Sequence, residues 1–527
     1  MNSNNLKFLN PFVDNLPGDT EPRNFVRLVR DSCYSLVQPT ATSKPSLITY
    51  SQELAELLGI SPETIGTETF TEVFAGNRTV PGSTPYAMCY GGHQFGHWAG
   101  QLGDGRAITL GEIDGKDGLS YALQLKGSGL TPYSRTADGL AVLRSSLREF
   151  VCSEAMHYLR VPTTRALSLI RTGDQVVRDM FYDGNPELET GAIVCRVAPT
   201  FLRFGNFEIF AAQRNIDVLK KLANFTIRTQ FPSIKSDESP DCYVRWFRAV
   251  LDRTAFLMAE WWRVGFVHGV MNTDNMSITG LTIDYGPYGW LEDFDFGWTP
   301  NTTDAQTKRY TFGKQPQIAK WNLLQLANVL CLLVEEPGPL QEALDEYDQI
   351  FEKYYMEVMR CKLGLREFGD DDMQLVQELY RVFESIEIDM TLFFRSLANI
   401  SSDSSSDHNW FQTVRPALYN PDALSSELHE KLENWLRAYA ARVQHQSLNP
   451  GTRTELMNNS NPLYVPRNYL AQLAIDDADK GDYALLRQWM EVLKNPYQEQ
   501  SGMDQFAAKR PDWARTRAGC SMLSCSS

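Results

Sequence analysis

The chain has 527 residues, a formal net charge of −15, a hydrophobic fraction of 43% and a charged fraction of 22%. These values describe a folded globular protein with a sizeable core and exclude fibrous and disordered classes. The acidic balance excludes broad binding to a nucleic-acid backbone, which needs Lys and Arg to neutralise phosphates, but it leaves room for a local basic pocket around one nucleotide.

The segment Met1 to Leu16 carries Lys7, Asp14 and the interrupting Pro11, a pattern of neither a signal nor a transit peptide, so a cytoplasmic protein is expected. The most apolar window, Leu323 to Val334, is broken by Gln325 and Asn328 and stops at Glu335, which predicts a buried helix and no membrane partner. Nine cysteines without a CxxC pair suit a reducing compartment.

Residues 1–84 mix Pro and polar residues with short helical patches such as Gln52 to Leu58, and read as an N-terminal extension packed on a core. After a Gly-rich stretch, the apolar runs Ala107 to Glu112 and Tyr121 to Lys126, separated by Asp114-Gly-Lys-Asp-Gly118, predict a β-hairpin. Beyond the polar loop Gly127 to Gly139, residues Leu140, Leu143, Leu147, Phe150 and Val151 recur at helical spacing with Glu149 among them. Residues 207–265 read as helical, with Trp246, Val250, Phe256, Trp261 and Val264 on one apolar surface. A loop, His268 to Asn275, leads to two short strand candidates, Met276 to Ile278 and Leu281 to Ile283, around Thr279-Gly280. Further helices run to about residue 398, and Ser401 to Asp407 has linker composition. The expectation is an α+β fold with a β-rich lobe at 85–205, a larger helical lobe at 206–400 and a helical C-terminal region at 401–527.

Phosphoryl and nucleotidyl transfer need cations on phosphates and oxygen ligands on a divalent metal, because positioning and charge neutralisation do most of the catalysis. Lys126 ends a strand and Glu149 lies 23 residues later on the next helix, as in the strand Lys and helix Glu pair of protein kinases. His268-Gly-Val-Met-Asn-Thr-Asp-Asn275 keeps the His and Asn of the kinase HRDxxxxN element at their separation. Val270 stands where the kinase base would be and cannot accept a proton, whereas Asp274 stands beside Asn275, which points to a displaced base. Asp284-Tyr-Gly286 is a variant of the DFG element, so Asn275 and Asp284 are the metal-ligand candidates. A literal Asp295-Phe-Gly297 follows, but Glu292, Asp293 and Asp295 read as a capped or solvated acidic turn.

Ahead of these, Gln101-Leu-Gly-Asp-Gly-Arg-Ala107 offers Gly103 and Gly105 for close approach, Arg106 as a cation and Asp104 as an unexpected anion. Arg196 and Arg203 flank Pro199-Thr200, where a strand end leads into a helix and could pair two guanidiniums on a phosphate. His93 and His97 have helical spacing, but the surrounding glycines disfavour a helix and with it a zinc site. Each feature alone also fits a surface ion pair, a tight turn or a self-capped loop; their order along the chain is what points to a nucleotide site. Cys520 and Cys525 lie in a small, polar tail where exposure would make thiols reactive.

These residues, with Gly92-His-Gln-Phe-Gly96, Trp98 to Arg106, Leu125-Lys-Gly-Ser-Gly129, Thr131 to Gly139 and Gly265 to Asn275, resemble the selenoprotein O (SelO) family from about residue 85 through 300. The resemblance implies a protein-kinase-like, two-lobed pseudokinase fold binding ATP in a flipped orientation, so that AMP passes to Ser, Thr or Tyr hydroxyls of protein substrates. It further implies that Gly103, Gly105, Arg106, Lys126, Asp138, Gly139, Arg196 and Arg203 hold the nucleotide. Asn275 and Asp284 would hold Mg²⁺ or Mn²⁺, Asp274 would accept the proton and Glu149 would position Lys126. In the family a redox-active tail Cys can pair with a core Cys after the DYG-Pro element; that position is Tyr288 here, which precludes such a disulfide and leaves Cys520 and Cys525 as the redox candidates. An ordinary kinase, a non-catalytic ATP-binding scaffold and UMP transfer remain open alternatives.

Overall fold

The computed structural model describes residues 6–181, 183–400, 409–445, 448–520 and 522–524. It is a mixed α and β structure built on one large antiparallel sheet and many helices. The strands are β1 (Tyr34–Leu36), β2 (Ser46–Tyr50), β3 (Tyr86–Met88), β4 (Gly91–Gln94), β5 (His97–Gln101), β6 (Ala107–Asp114), β7 (Ser120–Lys126), β8 (Arg165–Arg178) and β9 (Glu187–Ala198), with a short pair β10 (Phe266–Val267) and β11 (Gly289–Trp290) further on. Seven of them form the sheet in the order β1-β3-β6-β7-β9-β8-β2, while β4 and β5 make a separate two-stranded ribbon.

The expected hairpin is β6–β7, paired from Ala107↔Lys126 to Asp114↔Ser120, with Gly118 at φ +79° in its turn. The segment read as an extension supplies both sheet edges, since β1 pairs with β3 and β2 with β8. Those pairings cross long sequence distances, so local periodicity carries no trace of them.

Period-two alternation gives the sheet two working faces. On one, Leu123 and Leu125 of β7 and Ile193, Cys195 and Val197 of β9 pack on Leu54, Phe70 and Phe74 from N-terminal helices. On the other, helix Leu143–Tyr158 lays Leu143, Leu147, Phe150 and Val151 against Ala192 and Val194. C-terminal residues Tyr469, Leu470, Ala474 and Trp489 join that same cluster, so the helical C-terminal region packs directly on the helix that carries Glu149. Arg467 and Asp389 form a fully buried ion pair at 2.6 Å, and Asn468 hydrogen-bonds the backbone of Trp290 in both directions.

The long helix Pro240–Val264 begins at the Ser239 cap with Pro240 in its first turn and ends at Gly265 in the left-handed region. Its apolar stripe joins Phe204–Ala212, Ile216–Gln230 and Gln315–Leu330 in a second core. The expected strand candidates at 276–278 and 281–283 do not pair with each other; Ser277 bridges Arg203 and Thr282 bridges Thr163. Each short segment finds a better backbone partner on a distant loop, and those bridges hold the site together. The linker expected at 401–407 lies outside the described residues. No helix among the described residues is long and apolar enough to cross a membrane.

Candidate active site

Because β7 pairs with β9 in the register Gln124↔Arg196, the side chains of Gln124, Lys126 and Arg196 share the face that meets helix Leu143–Tyr158. Lys126 Nζ lies 2.7 Å from Glu149 Oε2, and Arg196 Nη1 donates to Glu149 Oε1 at 3.2 Å. Lys126 Nζ is also 3.7 Å from Asp284 Oδ1. Arg203, on the residue preceding helix Phe204–Ala212, and Arg196 each donate to one oxygen of Asp284. The two arginines that flank Pro199-Thr200 are thus brought together, on a carboxylate.

Asp284 sits at φ +53°, a left-handed conformation that short polar residues tolerate. Burial acts to raise its pKa, but Arg203, Arg196 and Lys126 outweigh it and hold the carboxyl well below the usual range. Lys126 is pulled down, by burial first and by Arg196 and Arg106, against the attraction of Glu149 and Asp284. Arg203 is the hub: it donates to the Asp274 carbonyl at 3.0 Å, lies 4.5 Å over the Tyr90 ring and is 3.9 Å from Asp104. Nε of Arg196 and Nη2 of Arg203 have no hydrogen-bond partner among the described residues.

The loop 268–275 is held from both sides. His268, buried against Trp261, bonds the Ile283 carbonyl at 2.8 Å, which ties this loop to Asp284. Asn275 Nδ2 donates to the Val270 carbonyl at 2.9 Å, which turns its amide oxygen away from that bond. Asp274 receives a 3.1 Å hydrogen bond at Oδ2 from Gln94 of β4, and its Oδ1 has no partner among the described residues. Burial pushes its pKa up to about 7, against the lowering effect of Gln94 and Arg203. Close contact with β4 depends on Gly92, where a Cβ would fall 2.8 Å from Asp274 Oδ1.

Gly103 and Gly105 serve the loop's own packing: a Cβ at Gly103 would lie 2.3 Å from Cγ of Tyr133, and one at Gly105 2.9 Å from the Tyr133 carbonyl. Asp104 is a buried anchor, accepting from Met88 N at 3.0 Å and Gln124 at 3.2 Å, with burial raising its pKa. Arg106 makes no ion pair among the described residues. Asp138 lies outside the cationic network, held bidentate by Arg178 at 2.7 and 2.8 Å, while Gly139 packs on Gly129, three residues after Lys126.

His93 and His97 lie on the two strands of the β4–β5 ribbon, not on a helix. In the acidic turn expected to be capped or solvated, Asp295 caps Gly297 N, whereas Glu292 is buried with its pKa up to about 7, by burial first. Cys520 is also buried, and burial pushes its thiol up to about 11, so the expected exposure is not found; Cys525 lies outside the described residues. The site residues that sequence reasoning left without a role are Gln94, Gln124, Tyr90 and the trio His93, Glu208 and Thr273. Glu208 Oε2 accepts from Thr273 at 2.8 Å and contacts His93 at 3.1 Å. Gln124 had a legible signal, being two residues before Lys126 on the same strand face.

Among the described residues no three His, Cys, Asp or Glu side chains form a metal site. The two hard oxygen donors Asn275 and Asp284 instead match a cation that takes most of its ligands from phosphates and water, as Mg²⁺ does.

The model of the family described as protein adenylyltransferase SelO matches residues 22–494. A protein nucleotidyltransferase YdiU of Aromatoleum aromaticum is 54% identical over 99% of this chain and 100% of its own. Proteins of the same name from Rhodopirellula baltica (54%, covering 99% of both chains) and Nitrosospira multiformis (52%, covering 99% of this chain and 96% of its own) are similar to a like degree. With one buried network joining Lys126, Glu149, Arg196, Arg203 and Asp284 and a family match running through nearly the whole chain, the protein belongs to the SelO family of protein adenylyltransferases.

Proposed function

We propose that this protein is a metal-dependent enzyme that transfers AMP from ATP to Ser, Thr or Tyr hydroxyls of protein substrates, within a kinase-like two-lobed fold. The observation that carries the reading is Asp274: a buried carboxylate whose Oδ1 has no partner among the described residues, beside Asn275, in a loop where Val270 stands at the position of the kinase base. Its pKa near 7 matches general-base work at neutral pH. In this reading Asp274 takes the proton of the acceptor hydroxyl as its oxygen attacks the α-phosphorus; the bond to the bridging oxygen breaks and pyrophosphate leaves.

Lys126, Arg106, Arg196 and Arg203 bind the phosphates, with the unmet donors of Arg196 and Arg203 as the first contacts. Glu149 keeps Lys126 charged and in place. Asn275 and Asp284 would hold Mg²⁺ or Mn²⁺, which when bound neutralises charge on the phosphates. Asp284, which Arg196 and Arg203 hold, would supply its carboxylate oxygens to that cation. Gly103, Gly105, Asp138 and Gly139 shape the loops around the nucleotide, which the family resemblance implies is bound in a flipped orientation. A reducing cytoplasm suits the cysteines, all free among the described residues.

The test uses ATP labelled separately at the α- and γ-phosphates, a protein acceptor and either Mg²⁺ or Mn²⁺. Label arriving from the α position supports the reading. Label only from γ makes the protein a kinase, and nucleotide binding without transfer makes it a scaffold. UTP labelled at α measures the competing uridylyl transfer.

A further inference from the structure

The stretch Arg23 to Asp31 belongs to no strand, yet its backbone bonds alternate. Arg27 N donates to the Pro132 carbonyl at 3.2 Å, Val29 N to Gln101 Oε1 at 2.8 Å and Asp31 N to Gln213 Oε1 at 3.3 Å. The Arg27 and Val29 carbonyls accept from Gln101 and Gln213 in turn. Among the described residues no hydrogen bond reaches the N–H or C=O of Val26 or Leu28. In a chain of period two, those groups point away from the protein, like the open edge of a sheet.

The side chains there are apolar and exposed: Phe25 at 46%, Val26 at 46% and Leu28 at 63%, with Leu130 at 45% beside them, where Asn24 bonds the Leu130 carbonyl. An open edge with apolar side chains is an aggregation hazard unless it has a use.

The edge also lies close to the chemistry. Gln101, which fastens Arg27 and Val29, pairs with Gly91 in the β4–β5 ribbon, and the next residue of β4 packs on Asp274. A two-stranded ribbon is about 10 Å wide, a span that three or four extended residues cover.

We propose that Phe25 to Arg30 is a docking edge on which an extended segment of the acceptor protein adds as a β-strand, with its apolar side chains against Phe25, Val26, Leu28 and Leu130. The inference rests on the protein-acceptor reading above. Main-chain bonds would supply affinity with little demand on sequence, and the apolar side chains a mild preference. Asp31, at φ +57°, ends the alternation, so the edge is only a few residues long. It is too short to bury the 1,200 Å² or so of a stable dimer, but suits a substrate that must leave.

The probe is reduced, carboxymethylated casein, an extended chain rich in hydroxyls. Hydrogen exchange of the full-length protein should show residues 24–30 protected when casein is added. Leu28→Ser, at an exposed side chain, and Val26→Pro, which removes one outward N–H, should each raise the KM for casein about tenfold while leaving kcat and the KM for ATP unchanged. Absence of protection, or an unchanged casein KM in both variants, overturns the proposal. Protection that grows with enzyme concentration without casein assigns the edge to a second copy and overturns it too. If no α-label transfers to any acceptor, the functional reading fails, and the exchange experiment still decides the docking edge by itself.

Discussion

Gln94→Ala removes the one side-chain hydrogen bond that Asp274 receives among the described residues, a 3.1 Å contact to Oδ2 on a carboxylate whose pKa is already about 7. Gln94 favours the ionised form, so its loss moves the pKa further up. A hydrogen bond to a charged group contributes about 1.5–3 kcal/mol, and one pKa unit corresponds to about 1.4 kcal/mol, so the shift is about one to two units. A base that is half ionised at pH 7 becomes about 10% to 1% ionised, and the rate there falls roughly five- to fifty-fold. Since the carboxylate itself remains, activity should recover towards pH 9. A cation held by Asn275 would lower the midpoint in both forms, so the difference between them would survive. The assay is the initial rate of α-label transfer at subsaturating acceptor from pH 5.5 to 9.5. A loss of the same factor at every pH would show that Gln94 only positions the loop, and no loss would remove Asp274 as the base.

Asp284→Asn keeps a residue that accepts φ +53°, so circular dichroism should be unchanged while transfer falls at least about a hundredfold across a Mn²⁺ titration; full activity would move the metal to Asp295. Glu149→Gln leaves Lys126 and Arg196 short of a buried carboxylate and should cost about 3–5 kcal/mol in chemical denaturation. ATP with metal should shrink that deficit by restoring negative charge, and an equal deficit with and without nucleotide would refute the phosphate assignment. Gly103→Ala forces a Cβ to 2.3 Å from the Tyr133 ring, whereas Gly100→Ala, also at positive φ, meets nothing within 4 Å. The first should lose clearly more thermal stability and ATP affinity than the second, whose cost is the backbone term of about 1–2 kcal/mol alone; equal losses would mean that the loop is not clamped on Tyr133.

What short motifs make legible is which charged side chains lie close together: the strand, helix and loop patterns point to Lys126, Glu149, Arg196, Arg203 and Asp284, and the structure joins these in one buried network, with the hairpin and helix that carry Lys126 and Glu149 where periodicity puts them. Asp138 was named by resemblance and is engaged elsewhere, by Arg178, because a loop's side-chain partner depends on the strand that passes it. Cys520 is buried although its small, polar tail reads as exposed, because distant helices cover it, and Glu292 is buried within a turn that reads as capped or solvated.

Composition, period and residue order by themselves determined a folded α and β protein, one strand face bearing Lys126 and a His268-to-Asn275 motif with Val270 in its third position. Only the tertiary structure decided that Arg196 and Arg203 close on Asp284, that Gln94 reaches Asp274 and that residues 34–50 complete the sheet from both edges. The physical reason is range: hydrophobic period and turn chemistry act over a few residues, whereas desolvation and ion pairing are set by whatever the chain brings back from more than eighty residues away, as Arg203 is brought to Asp284.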